Sequence, residues 1–202
     1  MSRSRTKKKK LSFAVFILIG LIIITASLAA IFYPRYQLKL EKQKYPTAYY
    51  ELVMKYSEEY SVPPEIIYGV IYTESHFSEN AVSRVGAQGL MQLMPDTVTW
   101  LSTYYVDLDE GYDVFDPKVN IELGTFYLSY AYKRFGSWKT TYASYNAGIG
   151  RVDSWLTDGR YSDNGIDLKS IPINETSEYV VKVALAAEKY KNLYFSEEEN
   201  NE

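Results

Sequence analysis

Residues 63–77 read PPEIIYGVIYTESHF. Proline at 63 and 64 opens a helix, because a ring locked near the helical φ costs nothing where the first N–H groups have no intrahelical partner. Ile67, Val70 and Ile71 then recur at helical spacing, and the segment ends near Ser75. The next position on that apolar stripe, seven residues after Ile67, is Glu74. A carboxyl group that faces inward at a helix C-terminus is opposed by the macrodipole and by desolvation, and both raise its pKa. An acid kept protonated near neutral pH can give its proton to a leaving oxygen. The same letters also fit a solvated glutamate in a frayed last turn.

Working outward, residues 47–195 read as one mainly α domain of ordinary size. Asn120 is expected to cap a helix in which Ile121, Gly124, Leu128, Ala131, Tyr132 and Phe135 share a face until Gly136 stops it. A third helix is expected from Thr176 or Ser177, with Val180, Val183, Ala184, Ala187 and Tyr190 on its buried side. Shorter helices are expected over 48–60, 87–93, 95–104 and 138–146, with a short hairpin possible near 105–115. Most of the 21 tyrosines should pack with the hydroxyl at the surface.

Composition removes several chemistries. No cysteine is present, which excludes disulfides, a thiol nucleophile and a cysteine zinc site, and His76 alone makes a multi-histidine metal site impossible. The acidic run Asp107, Asp109, Glu110, Asp113, Asp116 lacks the EF-hand spacing and reads as solvated loop charge. Net charge is −3, yet Arg3, Arg5 and Lys7 to Lys10 put six cations in the first ten residues, leaving 16 cations against 25 anions, or −9, in the remainder. So acidic a body argues against nucleic acid as a partner.

The basic cluster precedes LSFAVFILIGLIIITASLAAIFY, residues 11–33, which carries no charge. As a helix it would extend about 35 Å, enough for a hydrocarbon layer of about 30 Å. The expected organisation is a basic cytoplasmic tail over 1–10, a transmembrane helix over 11–33, a juxtamembrane linker over 34–46 (PRYQLKLEKQKYP), the domain over 47–195, and an acidic tail over 196–202. Cations before the span and none within it predict a cytoplasmic N-terminus and an extracytoplasmic domain on the cell membrane. A cleaved signal peptide is the alternative, with Ser27-Leu28-Ala29 as its small-residue site, but the apolar run is longer than such segments need.

A set of strings in fixed order then carries a resemblance. They are Tyr72-Thr73-Glu74-Ser75-His76-Phe77, Asn80-Ala81-Val82-Ser83, Gly86-Ala87-Gln88-Gly89-Leu90-Met91-Gln92-Leu93-Met94-Pro95, Asp116-Pro117 with Asn120-Ile121 and Gly124, Ala143-Ser144-Tyr145-Asn146-Ala147-Gly148 with Gly150-Arg151-Val152, and Ile171-Pro172 with Glu175-Thr176 and Tyr179-Val180. Over residues 56–190 the chain resembles the soluble lytic transglycosylase (SLT domain) family, whose fold is goose-type lysozyme-like. The resemblance implies a peptidoglycan lytic transglycosylase, acting on glycan strands between N-acetylmuramic acid and N-acetylglucosamine. The muramoyl 6-hydroxyl would close on its own C1 to leave a 1,6-anhydro end, assisted by the 2-acetamido group. It implies Glu74 as the single acid and base, with no cofactor and no metal.

The resemblance also implies a substrate-binding set. Ser83 and Gln92 would line the groove beside the acid, Tyr145 would hydrogen-bond the acid, Asn146 would hold sugar, and Glu175 and Tyr179 would close the far side. Ser177 stands where the family commonly has arginine, which removes an ion pair there. Gly86 and Gly89 would let the backbone turn tightly near substrate, Met91 and Met94 read as core, and His76 as packing or solvent-facing. Two other readings keep the fold but change the chemistry: a muramidase that hydrolyses the same bond with a positioned water, and an envelope protein that binds the wall without turnover. No cell-wall synthesis or secretion partner is readable from the sequence.

Overall fold

The computed structural model describes the backbone of residues 2–196 and, for side chains, Phe16 and residues 18–196. The side chains of the basic cluster and residues 197–202 of the acidic tail lie outside the described residues. The chain divides into two units, Met1–Pro46 and Thr47–Glu202. The first is one helix, α1 (Ser2–Lys44), which runs through Pro34 and the stretch read as a linker. Leu, Lys, Glu and Gln dominate residues 37–44, and all are good helix formers, so the spacer is helical rather than irregular. Part of α1 is long and apolar enough to cross a membrane, by length and composition, and that window is wholly exposed.

The second unit is built from α2 (Tyr50–Tyr60), α3 (Pro64–Ser75), α4 (Pro95–Tyr104), α5 (Pro117–Phe135), α6 (Trp138–Ala147), α7 (Ile149–Leu156) and α8 (Asn174–Tyr190), with a π turn at Lys191–Phe195. Among the described residues there is no strand, only isolated bridges. Proline occupies the start of α3, α4 and α5, where its missing N–H is not needed. Gly136, at φ 68°, ends α5 in the left-handed region that a Cβ disfavours.

α3 is the central element. Ile66, Ile67, Tyr68, Gly69, Val70 and Ile71 are all buried, as expected of a helix covered on every side. Gly69 sets its distance from α8: a Cβ there would stand 2.9 Å from the backbone nitrogen of Ala187. Any side chain would therefore push α8 away. A second group of core residues, among them Leu93, Val98, Leu101, Val119, Leu123 and Tyr127, packs α4 onto α5.

Several local expectations are corrected. Asn120 does not cap α5; Asp116 does, its Oδ1 accepting from the Lys118 N–H at 2.8 Å. Asn120 is instead fully buried one turn inside. Tyr132 is only half-buried, with its ring stacked on Trp138 at 4.1 Å. α8 begins at Asn174, with Ala186 rather than Ala184 on the buried side. Residues 87–93 are not helical: Gly86, Gly89 and Gln92 have φ of 91°, 78° and 49°, which a right-handed helix cannot contain. Their backbone groups pair across a folded-back loop, Gln88 with Leu93 in both directions and Gly89 N–H with the Ala81 carbonyl. Residues 105–115 form turns rather than a hairpin, with Asp113 Oδ1 accepting from the Phe115 N–H. Met91 is core, but Met94 is exposed.

Asn120 holds that loop. Its Oδ1 accepts from Met91 N–H at 2.7 Å, and its Nδ2 donates to the carbonyls of Gln88 and Val114 at 3.1 and 2.9 Å. Gly89 lies so close that a Cβ on it would stand 2.2 Å from Asn120 Nδ2. Replacing Asn120 by Ala leaves buried backbone groups unpaired, each of which costs on the order of 1–3 kcal/mol. Asn120→Ala is expected to lose about 3 kcal/mol, measured by urea or thermal unfolding of the detergent-solubilised chain; unchanged stability would mean the loop does not hang on this side chain.

Candidate active site

The last turn of α3 brings the Glu74 carboxyl to the edge of the core, and His76, in the left-handed region at φ 49°, ends the helix just beyond it. Glu74 is half-buried: it keeps a solvent-facing edge, but protein surrounds most of its carboxyl. Its Oε1 accepts a hydrogen bond of 2.7 Å from the Tyr179 hydroxyl on α8. Loss of water raises the Glu74 pKa from 4.5 to about 7, and the Tyr179 bond, which favours the charged form, partly opposes that rise. No other carboxylate contributes to this shift. His76 is exposed, with its ring 4.7 Å from that of Tyr72.

Tyr145, on α6, has a different partner from the expected one. Its hydroxyl donates to the Met91 carbonyl at 2.9 Å, not to Glu74. Asn120 holds the Met91 N–H, so the loop presents its carbonyl outward and offers an uncharged acceptor that the phenol takes. Glu74 remains within electrostatic range: burial first, then the Glu74 charge, push the hydroxyls of Tyr145 and Tyr179 well above the ordinary tyrosine value. The three groups share one low-dielectric environment.

Tyr145 also lines a cavity of about 210 Å³ with Gln92, Met94, Thr97, Tyr127 and Asn146. Gln92 Nε2 donates to the carbonyls of Ala81 and Gly89 at 3.0 and 2.9 Å, so the amide nitrogen is committed to the loop. Asn146 Oδ1 accepts from the Thr176 hydroxyl at 2.7 Å, which ties the end of α6 to the first turn of α8. Ser83 is held locally, its Oγ accepting from the Ala87 N–H at 2.9 Å. Glu175 is exposed, one turn before Tyr179 on α8. The structure therefore gathers Glu74, Tyr179 and Tyr145 into one electrostatic group, and Gln92, Tyr145 and Asn146 around one cavity. It ties Ser83 to its own loop and leaves Glu175 at the surface.

Sequence reasoning gave no role to Thr176, Thr97 or Tyr127. Thr176 stands inside a quoted string, and that was the one available signal. Among the described residues no group of three or more His, Asp or Glu side chains is placed to hold a metal ion. The acidic run has other work: Asp116 caps α5 and Asp113 holds a turn.

Comparison with known proteins follows the same lines. Residues 51–165 match the family described as the transglycosylase SLT domain. The soluble lytic murein transglycosylase of Escherichia coli K12 is 35% identical over 162 residues, covering 77% of this chain and 25% of that protein. The membrane-bound lytic murein transglycosylase C of Edwardsiella ictaluri is 36% identical over 115 residues, covering 52% of this chain and 32% of that one. The crystal structure of the 70 kDa soluble lytic transglycosylase of E. coli superposes with a TM-score of 0.69 at 33% identity, over 77% of this chain and 26% of the other. The lytic transglycosylase Slt of Pseudomonas aeruginosa, solved as an inactive mutant, gives 0.66 at 34% identity, over 75% of this chain and 25% of the other. The chain thus spans about a quarter of the soluble relatives it matches. By the extent of the family match and the shared helical framework, the chain belongs to the transglycosylase SLT domain family.

Proposed function

We propose that this protein is a peptidoglycan lytic transglycosylase held at the membrane by α1, with its domain on the extracytoplasmic side. The observation that carries the reading is the Glu74 carboxyl, its pKa raised to about 7 by burial, within electrostatic range of Tyr145, which lines a cavity with Gln92 and Asn146. Family membership and the names of the relatives support it. The six cations ahead of the apolar stretch support the orientation.

In this reading Glu74 gives its proton to the glycosidic oxygen as the bond from that oxygen to the muramoyl C1 breaks. The 6-hydroxyl of the same muramoyl residue then bonds to C1, and its proton returns to Glu74, so the acid is regenerated and no water is consumed. One carboxyl group suffices, whereas most glycosidases that hydrolyse use two. Tyr179 steadies the carboxylate between the two transfers by its 2.7 Å bond. Gln92, Tyr145 and Asn146 bind the sugar and its acetamido groups. Ser83, whose hydroxyl still has a proton to donate, and Glu175 serve as outer contacts.

Glu74→Gln is expected to fold like the parent and to release soluble fragments from purified sacculi about a thousandfold more slowly, the scale of a lost general acid. Comparable release would remove Glu74 from the chemistry. Mass spectrometry of fragments from the unsubstituted enzyme should show 1,6-anhydromuramic ends; reducing muramic ends would make the protein a hydrolase.

The acid acts in its protonated form, which prevails below its folded pKa. The rate should therefore be level below about pH 7 and fall tenfold per unit above it. Tyr179→Phe removes a bond that lowers the pKa, so the falling limb should move to higher pH. A limb that stayed in place would separate Tyr179 from the titration.

A further inference from the structure

Rings run without interruption from the cavity to the surface of α4. Tyr145 meets Tyr127 with centroids 5.2 Å apart, Tyr127 meets Trp100 at 6.3 Å, Trp100 meets Tyr105 at 5.1 Å, and Tyr105 meets Tyr104 at 6.5 Å. The order follows from helix geometry. Thr97, Trp100 and Tyr104 stand at i, i+3 and i+7 on α4, on one stripe, so the side of the helix that lines the cavity at Thr97 continues about 10 Å further to Tyr104. Val98 and Leu101 supply the buried side of α4. The rings at its end are not core: Tyr104 is 73% exposed and Tyr105 46%.

We propose that this stripe is an accessory glycan-binding surface, which takes uncharged N-acetylhexosamine units further along the strand whose bond lies at Glu74. The inference rests on the cleft being a glycan site. A β-1,4-linked pyranose chain presents axial C–H groups on its flat faces and hydroxyls at its edges. Aromatic faces carry partial negative charge that attracts such C–H groups, and the phenol hydroxyls can bond the sugar edges. Continuity with the cavity selects the occupant, because a strand leaving the cleft along α4 meets these rings next. Charge narrows it further. Asp107, Asp109 and Glu110 follow directly and are exposed, which disfavours an anionic occupant such as nucleic acid or an acidic lipid surface.

The test uses the full chain in detergent with Glu74→Gln, so that the strand is held and not cut. Binding to long and short β-1,4-N-acetylglucosamine oligomers and to purified peptidoglycan is measured with and without Tyr104→Ala and Tyr105→Ala. The expected result is about a tenfold loss of affinity for the long oligomer and for peptidoglycan, with the short oligomer unaffected. Tyr104→Ala alone, at the most exposed ring, should give part of that loss, and it serves as the readout if the double variant unfolds. Equal affinity with and without the rings would overturn the surface while leaving the cleft assignment intact. Equal loss for short and long oligomers would overturn it too, since the rings would then be acting through the cleft. Failure of the Glu74→Gln chain to bind any of these glycans would overturn both readings together.

Discussion

The packing of α3 against α8 governs this domain, with Gly69 against Ala187 at one place and Glu74 against Tyr179 at another. Gly69 lets the two helices approach until no side chain fits between their backbones, and further along the same pair the Tyr179 hydroxyl stands 2.7 Å from Glu74. Desolvation and the hydrogen bond act in opposite directions on the acid, and desolvation wins. A wider spacing would admit water and return Glu74 to the ordinary carboxylate range. The helix packing and the acid chemistry therefore have one cause.

The loop over 81–93 is the second determinant, and it depends on α5. Asn120, buried inside that helix, holds the backbone of Gln88 and Met91, and Met91 in turn accepts from Tyr145. A stability residue thus stands two bonds from the cavity. Asn146 and Thr176 close the other side by joining α6 to α8. These links connect segments far apart in sequence, so the site is assembled by the core rather than carried on one mobile loop.

Much of the helical frame was legible because its signals are local. Proline at helix starts and Gly136 at the end of α5 mark boundaries through their own backbone preferences, and the stripe Ile67, Val70, Ile71 pointed Glu74 inward. The failures share one physical reason: they depend on partners distant in the chain. Asn120 is placed where a cap would be, yet its bonds go to residues 88, 91 and 114. Residues 87–93 carry Leu90, Met91 and Leu93 at spacing that mimics a helix, while the positive φ of Gln92 leaves no mark in composition. Tyr145 reaching Met91 rather than Glu74 depends on which way a carbonyl faces in that loop. No helix was expected over 149–156, although Gly148 separates two helices, α6 and α7. Met94 looked like core by residue type but stands exposed at the cavity.

In the proposed chemistry one glutamate gives and takes back the proton. Ser83, Gln92, Tyr145 and Asn146 each hold a bond to loop, helix end or neighbour, while burial raises the Glu74 pKa to about 7. The most direct measurement is the titration of the Glu74 carboxyl carbon itself, followed by NMR on selectively carbon-13-labelled protein in detergent. The account requires a midpoint near pH 7. A midpoint near the ordinary 4.5 would mean the group is ionised in the cell and has no proton to give.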